Sequence, residues 1–331
     1  MTRVLITGGT GFFGKSILDY FSRNPCDYVF TVLSRHGLAS EFLSQINPSG
    51  NQTIEQIIGD VRSFDVGSAR FDAVIHAATP ARVDVPDDEM RSIIVEGTAN
   101  AIRQATKCGA SKFMMVSSGG VYGSGFTQPI SEEDEPHPHT AYGQAKLIAE
   151  QMAVESGLHV FLPRCFAFVG RFLNRNAHFA IGNFIRDVLS GNDIVIQGDG
   201  SPVRSYLYAD DLVEWLFAIL ERGESGRVYN VGSDEAISIR DLACLVRDAL
   251  KSTGDVKTLG SHLEGAANCY VPDIGRIRSE LGVSVKMGLR EAIASSATFG
   301  ADGIRIRFCS TPKPPTRSIS TVIPLCAGPG S

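Results

Sequence analysis

The chain has 331 residues, 43% of them hydrophobic, enough to bury a core for one large domain or two modest ones. A formal net charge of −5 leaves no basic surplus to neutralise a phosphate backbone, which excludes nucleic acid as the primary partner. The seven cysteines are odd in number, scattered and without a C-x-x-C pair, a pattern that speaks for a reducing compartment and against a zinc or other metal site. Met1 leads directly into the strand-like Val4-Leu5-Ile6, and no apolar run reaches bilayer-spanning length, so we expect a cytoplasmic protein with no membrane partner.

In chain order, short apolar runs at 3–7, 28–33, 55–58, 73–76, 112–117 and 159–162 alternate with longer segments, such as 13–21 and 90–108, whose apolar residues recur at helical spacing. Parallel strands need crossover connections, and the helices supply them. The alternation therefore predicts an α/β fold: a Rossmann-like, doubly wound parallel sheet. Past residue 166 the rhythm loosens into Gly- and Asn-rich loops, with helices predicted near 181–189, 211–221 and 239–250 and a short strand at 194–196. The expected division is a dinucleotide-binding domain over 1–165, with return segments near 205–232, and a smaller α/β substrate-binding lid over 166–204 and 233–298. Residues 299–331, rich in Ser, Thr, Pro and Gly, show no period and are expected to form a poorly ordered tail.

The strongest local signal is Thr7-Gly8-Gly9-Thr10-Gly11-Phe12-Phe13-Gly14, set between a predicted strand and a helix whose apolar stripe runs through Ile17, Leu18 and Phe21. Gly8 allows the tight turn, Gly11 lets a pyrophosphate approach the backbone, and Gly14 lets the helix pack against the strand, so the helix N-terminus can hold an anion. Further along, Tyr142 and Lys146 are four apart, which puts them one turn apart on one face of a helix. A phenol with an ordinary pKa near 10 is a poor base at neutral pH, and a neighbouring ammonium together with a positive nicotinamide favours the phenolate.

The glycine spacing of three and three resembles that of the extended short-chain dehydrogenase/reductase family, also called the NAD-dependent epimerase/dehydratase family. The resemblance continues in Gly59-Asp60-Val61-Arg62, His76-Ala77-Ala78, Gly97-Thr98-Ala99-Asn100, Ser117-Ser118-Gly119-Gly120-Val121-Tyr122-Gly123 and Tyr142-Gly143-Gln144-Ala145-Lys146, and spans about residues 1–295. It implies an NAD(P) cofactor held by Gly8, Gly11, Phe12, Phe13, Gly14, Ser34, Arg35, Asp60, Val61, Ala77, Ala78, Tyr142, Lys146 and Phe166, with Asp60 near the adenine and Phe166 near the nicotinamide. It implies catalysis by Ser118, Tyr142 and Lys146: Tyr142 trades a proton with a sugar hydroxyl while Ser118 holds the same oxygen, a role that Ser117 is less suited to fill. A nucleotide-diphosphate sugar is the implied substrate, met by Ser118 and by Arg204, whose planar fork can grip the diphosphate. Asn100 would tie down a helix, and relatives commonly form homodimers through paired helices.

Several positions depart from the family pattern. Ala167 stands where relatives often carry an asparagine, Arg171 replaces a proline, and Leu263-Glu264-Gly265-Ala266-Ala267-Asn268 replaces an Arg-Pro-Gly-Asp-like loop, which leaves the sugar and its base open. Dehydratases of the family carry an Asp-Glu pair directly after the catalytic Ser or Thr, because eliminating water needs two proton-handling groups; here Gly119-Gly120 cannot titrate. A ketosugar reductase or 4-epimerase is therefore expected ahead of a 4,6-dehydratase or a decarboxylase. A non-catalytic dinucleotide-binding protein would be expected to lose the tyrosine or the lysine, and both are present. After the second strand run the chain reads Ser34-Arg35-His36, with donors for a 2′-phosphate and no carboxylate to repel one, so NADP(H) is expected over NAD(H).

Overall fold

The computed structural model describes residues 1–24, 26–47, 54–80, 84–177, 179–260 and 268–299. Positions 263–267 of the divergent loop and the tail beyond Phe299 lie outside the described residues. The first half contains β1 (Thr2–Thr7), α1 (Phe12–Arg23), β2 (Tyr28–Ser34), α2 (Ser40–Ile46), β3 (Glu55–Ile58), β4 (Ala73–His76), α3 (Asp87–Cys108), β5 (Lys112–Met115), β6 (Ser117–Ser118), α4 (Ala141–Glu155) and β7 (His159–Cys165). The second half contains β8 (Phe168–Val169), α5 (Ala180–Leu189), β9 (Ile194–Ile196), β10 (Val203–Arg204), β11 (Leu207–Tyr208), α6 (Ala209–Arg222) and β12 (Val228–Val231). After these come β13 (Ile237–Ser238), α7 (Ile239–Ala249), β14 (Val256–Thr258), β15 (Cys269–Tyr270), α8 (Gly275–Leu281) and α9 (Leu289–Ala297).

Seven strands form one parallel sheet in the order β12-β7-β5-β4-β1-β2-β3, with β6 added beside β7. This is the Rossmann-like architecture that the alternation predicts. The central strands read as continuous apolar runs because both faces are covered. Val4 and Ile6 join the cluster under α1 and α6, whereas Leu5 joins the one under α3 and α4, and all three are fully buried. Each such side chain contributes about 1.5–3 kcal/mol by leaving water, before chain entropy is set against it. On the first face Phe21 of α1 packs edge-on to Phe217 of α6, with ring centroids 4.6 Å apart.

Sequence periodicity singled out six of the strands; the seventh, β12, pairs Val228 with Leu162 and Val231 with Cys165. The fifth run also breaks where one strand was expected. Val116 N–H still bonds His76 O at 3.0 Å, but Ser117 and Ser118 pair only with Arg164 and Cys165.

The smaller C-terminal α/β region is made of short pairings, β13-β10-β15, β11-β8 and β14-β9, around a separate core of Ile181, Phe184, Ile185, Leu242, Val246 and Ile293. Among the described residues no helix is long and apolar enough to cross a membrane.

Candidate active site

The strand order reverses at β1, which has β2 on one side and β4 on the other. The loops leaving the carboxyl ends of β1 and β4 therefore diverge and open a crevice, the usual ligand position in such sheets. The glycine loop lines it. Gly8 adopts φ +79°, and a Cβ there would lie 2.8 Å from Ala77 O. A Cβ on Gly14 would lie 2.5 Å from Gly9 Cα, so α1 reaches the turn only because position 14 has no side chain. Gly11 caps α1 and offers no side-chain acceptor, so the first-turn N–H groups have no side-chain cap. Phe12 and Phe13 pack on Phe168 of β8 at 6.1 and 5.7 Å, tying this turn to the C-terminal region. A cradle this narrow, built from backbone donors, fits the pyrophosphate of a dinucleotide.

A buried histidine fixes the other wall. Thr98 Oγ1 donates to Ile94 O at 2.7 Å, so it accepts from His76 Nε2 at 3.0 Å. His76 Nδ1 then accepts from Thr7 Oγ1 at 2.8 Å, and that oxygen accepts the Ala78 N–H at 3.3 Å. Burial, with the Lys146 charge adding to it, pushes the imidazole pKa down to about 3, so it is a neutral tether joining the glycine loop to Ala77 and Ala78.

On the far side of β4, the Thr140 hydroxyl caps α4 by accepting Gly143 N–H at 3.1 Å. A Cβ on Gly143 would lie 2.6 Å from Gly120 O, so this glycine lets α4 bring Tyr142 against the turn that follows Ser118. Ser118 Oγ accepts Gly120 N–H at 3.0 Å, and a Cβ on Gly120 would lie 3.3 Å from that oxygen and 3.4 Å from the Tyr142 ring, so the two side chains face each other across the turn. Burial raises the Tyr142 pKa, the nearby Ser118 hydroxyl opposes that rise, and the Cys165 thiol adds to it. Lys146 turns beneath: its Nζ donates to Val116 O at 2.8 Å, and burial lowers its pKa to about 8. The structure thus brings Ser118, Tyr142 and Lys146 together, with Ser118 as the group that favours the phenolate.

Ser117 is engaged elsewhere, donating to Glu150 Oε1. Glu150 lies one turn beyond Lys146 on α4 and pairs in two-pronged fashion with Arg164 of β7, at 3.0 and 2.8 Å. Both side chains are more than nine-tenths buried. The pair bolts the helix carrying Tyr142 to the strands carrying Ser118. The helix face formed by positions 142, 146 and 150 was the sequence signal for it.

The C-terminal region closes the crevice from above. Phe166 follows β7, and its ring lies 4.7 Å from that of Tyr270 on β15. The Tyr270 hydroxyl lies 2.7 Å from where a Cβ on Gly119 would stand, at the turn that follows Ser118. Tyr270 had no local signal in the sequence. Arg204 of β10 pairs in register with Tyr270, its guanidinium lies 5.8 Å from that ring, and its Nη1 donates to Val203 O and Asn268 O. After β3, Asp60 is clamped by Arg62, whose Nε and Nη2 donate to its two carboxylate oxygens, each at 2.9 Å. That guanidinium holds the Asp60 carboxyl below its usual range, and Arg35, at the end of the adjacent strand β2, adds to the effect. Arg35 is exposed, while the neighbouring Ser34 Oγ is buried with no hydrogen-bond partner. Asn100 Nδ2 donates to Val61 O and Phe64 O, so α3 holds the turn containing Asp60 and Val61 in place.

Comparison with known proteins agrees with this geometry. The dTDP-glucose 4,6-dehydratase of Streptomyces griseus is 28% identical over 318 residues, covering 90% of this chain and 94% of that protein. The UDP-glucuronic acid decarboxylase 1 of Xenopus tropicalis is 28% identical, covering 88% and 70%. In fold the chain is similar to a UDP-glucose 4-epimerase of Thermotoga maritima solved with UDP-glucose, with a TM-score of 0.77, 23% identity, and 90% of this chain and 98% of that one covered. The profile of the NAD dependent epimerase/dehydratase family matches residues 4–232, a stretch that contains the glycine loop, the His76 tether and the Ser118, Tyr142 and Lys146 cluster, and the chain belongs to that family.

Proposed function

We propose that the protein is an NAD(P)-dependent enzyme of a nucleotide-diphosphate sugar, acting at a sugar carbinol or ketone carbon as a ketosugar reductase or a 4-epimerase. The observation that carries this reading is the meeting of Ser118 and Tyr142 beside a pyrophosphate cradle, next to a Gly119-Gly120 turn that has no carboxylate. The substrate class is taken from the relatives, whose names place nucleotide sugars in dehydration, decarboxylation and epimerisation.

When bound, a nicotinamide dinucleotide supplies or accepts the hydride. Ser118 holds the reacting oxygen. Tyr142 takes its proton during oxidation and returns it during reduction. Lys146, one turn below, keeps positive charge beneath the phenol, and Arg204 meets the diphosphate from the C-terminal region, which acts as the substrate lid. Dehydration ranks lower for a steric reason as well as a chemical one: a side chain at position 119 would start 2.7 Å from the Tyr270 hydroxyl and 2.8 Å from the Phe166 ring. NADP(H) is proposed over NAD(H), because Arg35 is an exposed cation after β2 and the carboxylate it acts on, Asp60, is already paired with Arg62. The reading includes a cytoplasmic homodimer, for which sedimentation is the check.

The test starts with mass spectrometry of the purified protein for retained dinucleotide. A panel of UDP-, dTDP- and GDP-sugars is then assayed for hydride transfer by wild type and Tyr142→Phe. Loss of the acid/base should cut turnover about 10²- to 10⁴-fold while leaving cofactor affinity intact. Near-normal turnover in the variant removes Tyr142 from its role, and a product that has lost water replaces the reading with a dehydratase.

A further inference from the structure

Asn230 of β12 is fully buried, so its carboxamide must find partners for two N–H groups and an oxygen inside the protein. Nδ2 donates to Ile130 O at 2.9 Å and to Asp273 O at 3.3 Å. Both carbonyls can only accept, which fixes the orientation of the amide and turns Oδ1 toward the Tyr122 hydroxyl, its donor at 2.9 Å. The backbone N–H of Asn230 donates to Glu132 Oε1 at 2.8 Å, so main chain and side chain are held together. We propose that Asn230 is a positioning residue of the active site: its carboxamide holds the turn that follows Ser118, through Tyr122, and clamps the segment after β15, by which the C-terminal region is held over that turn.

Tyr122 closes the turn Gly119–Tyr122, which begins with Ser118 Oγ accepting Gly120 N–H at 3.0 Å. That bond takes one lone pair of Ser118 and leaves its proton for the reacting oxygen. The Tyr122 ring is buried against the Arg164 guanidinium, 4.7 Å from the centroid, and Arg164 is paired with Glu150 of α4. The phenol is thus fixed on its face by Arg164 and at its tip by Asn230. A shift of Tyr122 would move the turn, and Ser118 with it.

The chain leaving that turn pairs with β15 and its continuation. Cys269 N–H donates to Phe126 O at 2.7 Å, Ile130 N–H to Val271 O at 2.8 Å, and Asp273 N–H to Ile130 O at 2.7 Å. Asn230 donates to a carbonyl on each side of this pairing, and so staples it. β15 brings Tyr270 over Gly119 and stands in register with Arg204 of β10. The two arms of the carboxamide therefore have different duties. The Tyr122 arm sets where the reacting oxygen is held, and the Nδ2 arm sets where the diphosphate is met.

This inference rests on the proposed hydride transfer at Ser118 and Tyr142, and the experiment separates the two. Tyr122→Phe removes the donor to Oδ1 and keeps both Nδ2 bonds; Asn230→Asp keeps the acceptor for Tyr122 and puts an oxygen where Nδ2 met two carbonyls. In the hydride-transfer assay, Tyr122→Phe should lower kcat about three- to tenfold, the worth of one hydrogen bond, with the sugar KM unchanged. Asn230→Asp should raise the sugar KM by a similar factor and change kcat less. Wild-type kcat and KM in both variants, with only the melting temperature lowered, would make Asn230 merely structural and overturn the proposal. If Asn230→Asp does not fold, Tyr122→Phe decides alone, and a wild-type kcat in that variant overturns it. Should wild type transfer no hydride to any sugar, the functional reading fails and hydrogen exchange decides the inference. Tyr122→Phe should then speed exchange at residues 119–123 and spare Ile130 and Asp273, and Asn230→Asp should do the reverse. Equal acceleration of both segments in both variants, or of neither, would overturn it.

Discussion

The floor of the crevice and its rim use charge in opposite ways. On the floor charge is matched or suppressed: His76 is held neutral between two threonines, Glu150 and Arg164 are paired out of water, and burial lowers the Lys146 pKa. At the rim, Arg35 is exposed and Arg204 is half-buried, donating to two backbone carbonyls and pairing with no carboxylate among the described residues. Floor groups hold the structure, because an unmatched charge there would destabilise the fold. Rim groups cost the fold little and remain available to an anionic ligand. Changes on the floor should therefore register as lost stability, and changes at the rim as lost affinity.

The largest effect is expected from Glu150→Ala, which strands Arg164 in the interior. Breaking a buried pair from one side typically destabilises by about 3–5 kcal/mol. Urea unfolding should show that loss, and replacing both residues by methionine should recover part of it. If the single change cost no more than a surface substitution, the floor would not be a closed electrostatic unit.

A loss of similar size, spread over the acid range, is expected on acidification. The His76 pKa falls from its ordinary 6.5 to about 3 on folding. Between those values the unfolded chain takes up a proton that the folded chain refuses, so stability present above 6.5 is lost as pH falls, by about 1.4 kcal/mol per pH unit. His76→Asn should flatten that slope in unfolding measurements. An equally steep slope in the variant would place the acid sensitivity elsewhere.

The contrast also explains what could be read from the sequence. Buried parallel strands announce themselves as apolar runs, and a glycine loop between strand and helix restricts what can surround it, so β1, α1 and the Gly8 to Gly14 turn were legible. Tyr142 and Lys146 were legible from helical spacing, and Glu150 lay on the same face unused. Tyr270 was not, because it sits in a two-residue strand and meets the Gly119 turn only through tertiary packing 151 positions away in sequence. The Arg62 clamp on Asp60 was missed for the opposite reason: the two residues are so close in sequence that no periodic pattern marks them.

At the rim, Arg204→Ala should weaken nucleotide-sugar binding about ten- to a hundred-fold, the worth of a charge-assisted phosphate contact, with a smaller effect on the dinucleotide. Its unfolding free energy should stay close to wild type. An unchanged Michaelis constant across the sugar panel would remove Arg204 from the diphosphate site, and a large stability loss would move it to the floor.

The smallest effect, and the one that bears most on direction of chemistry, is expected at Arg35. It is exposed, so solvent and salt screen its contact with a 2′-phosphate, and a gain of about 1 kcal/mol or less, about fivefold in affinity, is all that one such contact supplies. Asp60 would normally work against a phosphate at this end, but both of its oxygens are bonded to Arg62, which leaves Arg35 acting with little opposition. Wild type should then bind NADP(H) more tightly than NAD(H), with a gap that narrows as salt rises and closes in Arg35→Ala. Such a preference points to reduction, since reductive biosynthesis draws on NADPH while epimerases usually keep NAD bound. A preference for NAD(H) that Arg35→Ala leaves untouched would give the rim no part in choosing the cofactor, and would put the epimerase ahead of the reductase.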